Sequence, residues 1–226
     1  QQIEIVGDVA FKDVKAQVTK HFNNWKKGTI PAYEIPKVVD VAKTEINFID
    51  MPNAVQSDIS VINTVDLKMG NPDYFAALLA NKIFGGGGEG RLFLNLREDK
   101  GYTYGIGSMS AELQETGYFL IATEVGKDVK DATLDEIKKE IERLRTDLVD
   151  QEELDLVKNY LLGQLLKSAD GPYSLIDLYM GLESFGLELE FYNESIEAIK
   201  KITPERIREL ANQYLNWEDF SIVSAG

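Results

Sequence analysis

The sequence predicts an α+β domain: an antiparallel-dominated sheet with helices packed on one face. Three observations predict it. Strand-like runs fall in adjacent pairs, Thr44–Asp50 with Val55–Asn63 and Thr103–Glu112 with Thr116–Val125, as hairpins require. Long segments of helical period stand between and after them, and each must bury its apolar stripe against a sheet or another helix. No linker, short repeat or low-complexity tract divides the 226 residues, and 44% hydrophobic content with 10% aromatic suffices for one core,.

Taken in order, Ile3–Val6 alternates and stops at Gly7-Asp8, which reads as a first strand and a helix-starting turn,. Phe11, Val14, Val18, Phe22 and Trp25 then line one helical face, with His21 beside it. Residues 28–43 hold Gly28, Pro31 and Pro36 without periodicity and read as an extended connector,. The first strand pair follows, turning at Met51-Pro52-Asn53. In Asn71–Phe84, Asn71 can cap, Pro72 suits the first turn, and Tyr74, Phe75, Leu78, Leu79, Lys82 and Ile83 recur at helical spacing,. Leu92, Phe93 and Leu96 fit a short helix that presents Arg97 near its end, and Tyr104 starts the next strand just after a turn at Gly101.

The second half reads as mostly helical. Asp128–Thr146 carries Ile137, Ile141 and Leu144 beneath a charged, solvated face,. Asp150 with Glu153 has the spacing of a capping box for a helix on which Leu154, Val157, Leu161 and Leu165 repeat, and Gly171-Pro172 breaks it,. Helices are expected at Tyr173–Phe185, at Glu190–Lys200 and from Thr203-Pro204 to Leu215, with a closing strand near Phe220–Ser224,. Asn193-Glu194-Ser195 matches the glycosylation triplet, a pattern common by chance,.

Composition narrows function by exclusion. A net charge of −14, from 38 acidic against 24 basic residues, argues against nucleic acid and favours basic peptides,. With no cysteine there are neither disulfides nor thiolate metal sites, which leaves the redox compartment open,. No apolar run reaches the roughly 18 to 20 residues of a membrane span, so a soluble chain is expected. The opening residues lack the basic and apolar regions of a secretory signal,.

The most unusual stretch is Ile83–Gly105, where Gly85, Gly86, Gly87 and Gly88 stand in a row. A glycine costs up to about 1 kcal/mol more than alanine in regular structure, so such a run implies a sharp bend or a close approach. One glycine would end a helix, but four exceed that need. Gly85, Gly87 and Gly90 satisfy a G-x-G-x-x-G pattern, yet a helix precedes them where a dinucleotide site needs a strand,. Arg91-Leu92 stands where a Walker loop needs Lys and Ser or Thr, so nucleotide binding fails both templates,.

The wording of this stretch, FGGG at Phe84–Gly87, then Arg91-Leu92-Phe93, Leu96-Arg97-Glu98, Gly101 and Tyr104, resembles the non-zinc-binding domain of pitrilysin/insulinase-like zinc peptidases, the group that includes the mitochondrial processing peptidase. The resemblance runs from IEIVGDV, through HFNNW at Trp25, to EEL-x-x-x-K at residues 152–158. It implies a layer of about six strands covered by helices, a single peptidase-type domain over residues 1–226, and a parent chain whose other half carries zinc. A targeting segment, periplasmic or exporting, would belong to that parent.

The resemblance further implies that Arg97 and Tyr104 reach towards a partner domain's zinc site and hold a peptide backbone. The four glycines, with the acidic balance, suggest that Gly85–Gly88 form a mobile loop at the mouth of the substrate chamber. On the residues alone, Arg97 could equally form a local pair with Glu98 or Asp99, and Tyr104 could be a core aromatic. Zinc itself is expected only in the partner. Such peptidases use an inverted H-x-x-E-H on a helix, and one histidine cannot supply it; Glu112, Glu115 and Glu124 are hard ligands of a kind that strands and turns carry routinely,. The expected role is substrate gripping and chamber closing, with peptides and a zinc-binding domain, in cis or as a subunit, as partners. The alternative is a non-catalytic assembly subunit that keeps the fold, and an H-x-x-E-H upstream or in an adjacent reading frame would discriminate the two.

Overall fold

A computed structural model describes residues 2–32, 34–39, 41–113 and 116–226. Its sheet has five strands: β1 (Glu45–Ile49), β2 (Gln56–Thr64), β3 (Thr103–Glu112), β4 (Gly117–Gly126) and β5 (Ser221–Ala225). Their spatial order is β1-β5-β2-β4-β3, and all pairs are antiparallel except β1 with β5. The helices are α1 (Phe11–Phe22), α2 (Tyr74–Phe84), α3 (Arg91–Phe93), α4 (Lys130–Thr146), α5 (Gln151–Ser168), α6 (Pro172–Ser184), α7 (Glu190–Lys201) and α8 (Pro204–Tyr214).

Strand alternation decides which face is covered. In β2 the residues Ser57, Ile59, Val61 and Asn63 are buried while their neighbours are not, and β4 repeats this with Phe119, Ile121, Thr123 and Val125. Because side chains alternate with period two, every helix-covered residue lies on one face and the other face stays open. On the covered face Phe84 of α2 packs 6.1 Å from Phe119, which lies 6.3 Å from Phe220. Phe84 and Phe220 are fully buried, and each contributes about 2 to 3 kcal/mol of burial relative to an exposed side chain. The core continues through Ile137, Ile141 and Leu144 of α4 and Ile207 of α8.

Local chemistry explains two boundaries. Asn71 does not cap α2 directly; its Oδ1 accepts from the Asp73 amide at 2.9 Å, so Asn71-Pro72-Asp73 is a turn and the helix starts at Tyr74,. Thr203 does cap α8, its hydroxyl accepting from the Arg206 amide at 3.3 Å,.

The N-terminal expectations need correction. Ile3–Val6 forms no strand, so the described sheet has five members where about six were expected. The helix α1 forms as expected but buries none of its residues, with Phe11 79% exposed. The core begins, in chain order, at Ile59. An amphipathic pattern guarantees a helix with a stripe, whereas burial of the stripe requires a surface to receive it.

Candidate substrate-binding site

The glycine run is explained by close packing. A Cβ on Gly85 would stand 2.6 Å from Ser108 Oγ, 2.8 Å from Leu92 Cδ1 and 3.0 Å from the Ser108 amide nitrogen. That approach lets the Gly85 carbonyl accept from the Ser108 amide at 2.9 Å, joining the loop to the outer edge of β3,. Gly90 packs onto Gly85 itself, and its Cβ would lie 2.9 Å from the Gly85 Cα. Gly86 is pressed against the backbone of Lys82, and Lys82 Nζ donates to the Gly86 carbonyl at 2.8 Å. Of the four, Gly85 is buried, Gly86 half-buried, and Gly87 and Gly88 are exposed. Half of the expected mobile loop is therefore wedged between α2 and β3.

The chain leaves this loop through α3 and, unexpectedly, a π-helical stretch, Leu94–Asp99. The Lys100 amide donates to the Asn95 carbonyl and the Tyr102 amide to that of Leu96. Such widened turns are rare and recur at functional sites. Asn95 Nδ2 ties the stretch to α4, donating to Glu140 Oε1 at 2.8 Å and Glu136 Oε2 at 3.2 Å. Arg97 emerges from the widened turn. Its guanidinium lies 4.8 Å from the Phe93 ring centre and 5.5 Å from that of Tyr104, with Nη1 donating to Glu98 at 2.9 Å. The local pair and the approach to Tyr104 thus coexist.

Tyr104 is 91% exposed, which removes the core-aromatic reading. A bulge between Thr103 and Ile106 in β3 throws it outward,. The bulge is stapled from below: Thr103 Oγ1 donates to the Glu124 carbonyl at 2.7 Å and accepts from the Gly105 amide at 3.0 Å, and Thr123 Oγ1 lies 3.0 Å from the Gly105 carbonyl. Beside Tyr104 the open sheet face forms a concavity whose lining includes Gln56, Asp58, Ser60 and Glu124. Asp58 and Glu124 are directly opposed across the β2–β4 pair and both are exposed. Like charges so placed repel, so the floor beside Tyr104 is a focus of negative potential.

The residues present do not fit zinc. Among the described residues no three His, Cys, Asp or Glu side chains stand close enough to hold a metal ion. His21 is exposed in the last turn of α1. Glu112 accepts from the Tyr74 hydroxyl at 3.3 Å, Glu124 faces the concavity, and Glu115 lies outside the described residues. Burial holds the Glu112 carboxyl above the usual carboxylate range, opposed by the Tyr74 hydrogen bond, and burial pushes the Tyr74 phenol up.

Two partners here escaped the sequence reading. Glu153 reaches across to Arg91 instead of back to its own helix start, whose Asp150 makes no side-chain cap. Phe93 shelters the Arg97 guanidinium; the i,i+4 spacing of the two was a usable signal.

These features define an α+β domain with an Arg–Tyr pair at the open face of its sheet and, among the described residues, no cluster that could hold a metal ion. The chain belongs to the family of peptidase M16 inactive domains, whose model matches residues 2–161. It is 24% identical over 157 residues to an uncharacterized zinc protease of Bacillus subtilis, covering 70% of this chain and 38% of that one. The peptidase M16 inactive domain structure from Pseudomonas fluorescens superposes with a TM-score of 0.83 at 26% identity, over 97% of this chain and 52% of that one. An inactive peptidase domain from Bordetella parapertussis shares the fold alone, with a TM-score of 0.66 at 16% identity, and covers 75% of this chain and 91% of its own. The chain therefore spans well under half of the curated relative and about half of the Pseudomonas chain. Among the described residues no helix is long and apolar enough to cross a membrane.

Proposed function

We propose that this chain grips substrate and closes the chamber of a zinc endopeptidase whose metal is held by another domain, in the same polypeptide or in a partner subunit. One observation carries this reading. A guanidinium and a phenol that is almost wholly in solvent are held together at the open sheet face, the first by Phe93 and Glu98, the second by a stapled bulge. A structural Arg–Tyr pair has no need of that exposure.

The chemistry suits a peptide backbone. Arg97 offers a fixed fork of donors for a carbonyl or a terminal carboxylate, and Tyr104 a neutral donor for a carbonyl oxygen as negative charge develops on it. Neither group has to titrate. The opposed Asp58 and Glu124 beside Tyr104 favour substrates with basic side chains near the gripped bond,. Gly87 and Gly88 present unshielded backbone near the same end of the domain.

The test is peptide kinetics with the H-x-x-E-H-bearing segment of the parent supplied, together with melts of each variant. Tyr104→Phe should lower kcat about 10²- to 10³-fold with an unchanged melt, since one donor to a developing oxyanion is lost. Arg97→Lys keeps the charge but loses the fork, and should raise KM as well as lower kcat. If both variants stay within about twofold of the parent in kcat/KM, the reading is wrong.

A further inference from the structure

Glu140 breaks the pattern of its own helix. The buried side of α4 runs through Thr133, Ile137, Ile141 and Leu144, and Glu140, 7% exposed, stands among them where an apolar residue would pack. A buried carboxylate is costly unless it is hydrogen-bonded. Its Oε1 accepts from Asn95 Nδ2 at 2.8 Å, while Oε2 makes no hydrogen bond among the described residues and lies 3.6 Å from Arg143 Nη1. Asn95 belongs to the widened turn that carries Arg97.

A second carboxylate of α4 holds both ends of that turn. Glu136 Oε2 accepts from Asn95 Nδ2 at 3.2 Å and lies 3.9 Å from Lys100 Nζ, and the Lys100 amide itself donates to the Asn95 carbonyl at 3.0 Å. Residues five apart in an α-helix point about 140° away from each other, so the two could not share one carboxylate oxygen. The i→i+5 bond of a π-turn brings them to one side. The helical run here is short, three residues of α3 and six of the widened stretch. Such a run has little helical stability of its own, so what it packs against sets its register. A shift of one residue in register turns the guanidinium by about 100° about the helix axis, away from the Tyr104 ring, whose centre lies 5.5 Å from it.

We infer that Asn95, Glu136 and Glu140 are positioning residues for Arg97: α4 clamps the widened turn, and the clamp sets the register that keeps the guanidinium beside Tyr104. None of the three touches substrate. The consequence for turnover rests on the proposed function; the consequence for the turn does not.

The experiment combines nuclear magnetic resonance of the chain with peptide kinetics, the H-x-x-E-H-bearing segment of the parent being supplied. Asn95→Leu alone strands Glu140 and should lower the melt by about 5 °C or more. Adding Glu140→Met removes the stranded charge and should restore the melt without restoring the clamp. In this folded pair the Overhauser contact between the Arg97 side chain and the Tyr104 ring should vanish, and the Lys100 amide should exchange at least about tenfold faster. Its kcat/KM should fall about 10²-fold, the usual effect of a small misplacement. On an Arg97→Lys background the same pair should cost less than about threefold, because both changes act through one guanidinium. Glu140→Gln keeps an acceptor for Asn95 and should hold kcat/KM within about threefold of the parent. Glu136→Leu with Lys100→Met releases the other side of the clamp, strands no buried charge because Lys139 is exposed, and gives the same readings if the first pair melts low. A folded pair that keeps the Arg97–Tyr104 contact and the Lys100 protection overturns the inference, as does a kcat/KM cost that adds in full to that of Arg97→Lys. Loss of contact and protection with kcat/KM within about twofold of the parent upholds the clamp and overturns the proposed function alone.

Discussion

Arg91 and Glu153 meet at two points, Nε to Oε1 at 3.2 Å and Nη2 to Oε2 at 2.8 Å, across 62 residues of sequence. Arg91 is 9% exposed and its Nη1 has no partner among the described residues, so Glu153 alone balances a nearly buried guanidinium. The pair ties the segment after the glycines to the first turn of α5.

Glu153→Ala should therefore destabilise the fold by about 3 kcal/mol, because it strands a buried charge. Replacing both residues, as in Arg91→Met with Glu153→Leu, should recover most of that loss. Urea melts of the two singles and the double settle the matter. A cost under about 0.5 kcal/mol for Glu153→Ala would mean the pair behaves as an exposed one.

Gly90 and Gly88 should respond oppositely to alanine. A Cβ on Gly90 meets the Gly85 backbone at 2.9 to 3.2 Å, whereas one on Gly88 finds nothing nearer than Phe93 at 3.8 Å. Overpacking against backbone costs about 1 to 3 kcal/mol, so Gly90→Ala should melt lower. Gly88→Ala should melt as the parent does or slightly higher, and equal melts for the two would refute the packing account of the run.

Glu112 sets a pH dependence of defined sign. Burial raises its carboxyl above the ordinary 4.5 in the folded chain, opposed by the Tyr74 hydroxyl. The folded state then holds the proton more tightly than the unfolded state, so this group's contribution falls as pH rises through the window above 4.5,. Glu112→Gln removes the charged form and should stabilise the protein near neutrality while gaining little at pH 4. Thermal melts from pH 4 to 8 would show a parallel offset instead if Glu112 titrated normally.

Asp58 and Glu124 face each other with like charge. Neutralising them as Asp58→Asn with Glu124→Gln should raise stability by about 0.5 kcal/mol. The same change should weaken binding of lysine- and arginine-rich peptides at low salt, an effect that 0.5 M salt erases in the parent. Unchanged peptide affinity would remove these two residues from the substrate surface.

Much of this was legible in the residues. The β3–β4 hairpin, the α2 stripe, the Thr203 cap and the close approach implied by four glycines follow from period, turn chemistry and steric size, which act within a few residues of their cause. The other expected pair does not form: β5 inserts between β1 and β2, because a strand from the far end of the chain took the edge that the Met51-Pro52-Asn53 turn left unpaired. The start of α2, the widened turn under Arg97 and the partner of Glu153 did not follow. Each depends on a group distant in sequence or on a choice between two local hydrogen bonds of similar strength. Glu153 could cap its own helix or reach Arg91, and the buried guanidinium decided.

The sequence by itself determined that the chain is α+β, that its covered strands alternate, and that it lacks the histidines for a metal site, because periodicity and composition are properties of the chain alone. Only the tertiary structure decided that Tyr104 faces solvent, that Gly85 is wedged against Ser108 and that the stripe of α1 stays uncovered. Exposure belongs to surfaces brought together from distant segments, and an amphipathic pattern states what a helix can bury without stating whether a partner surface is there.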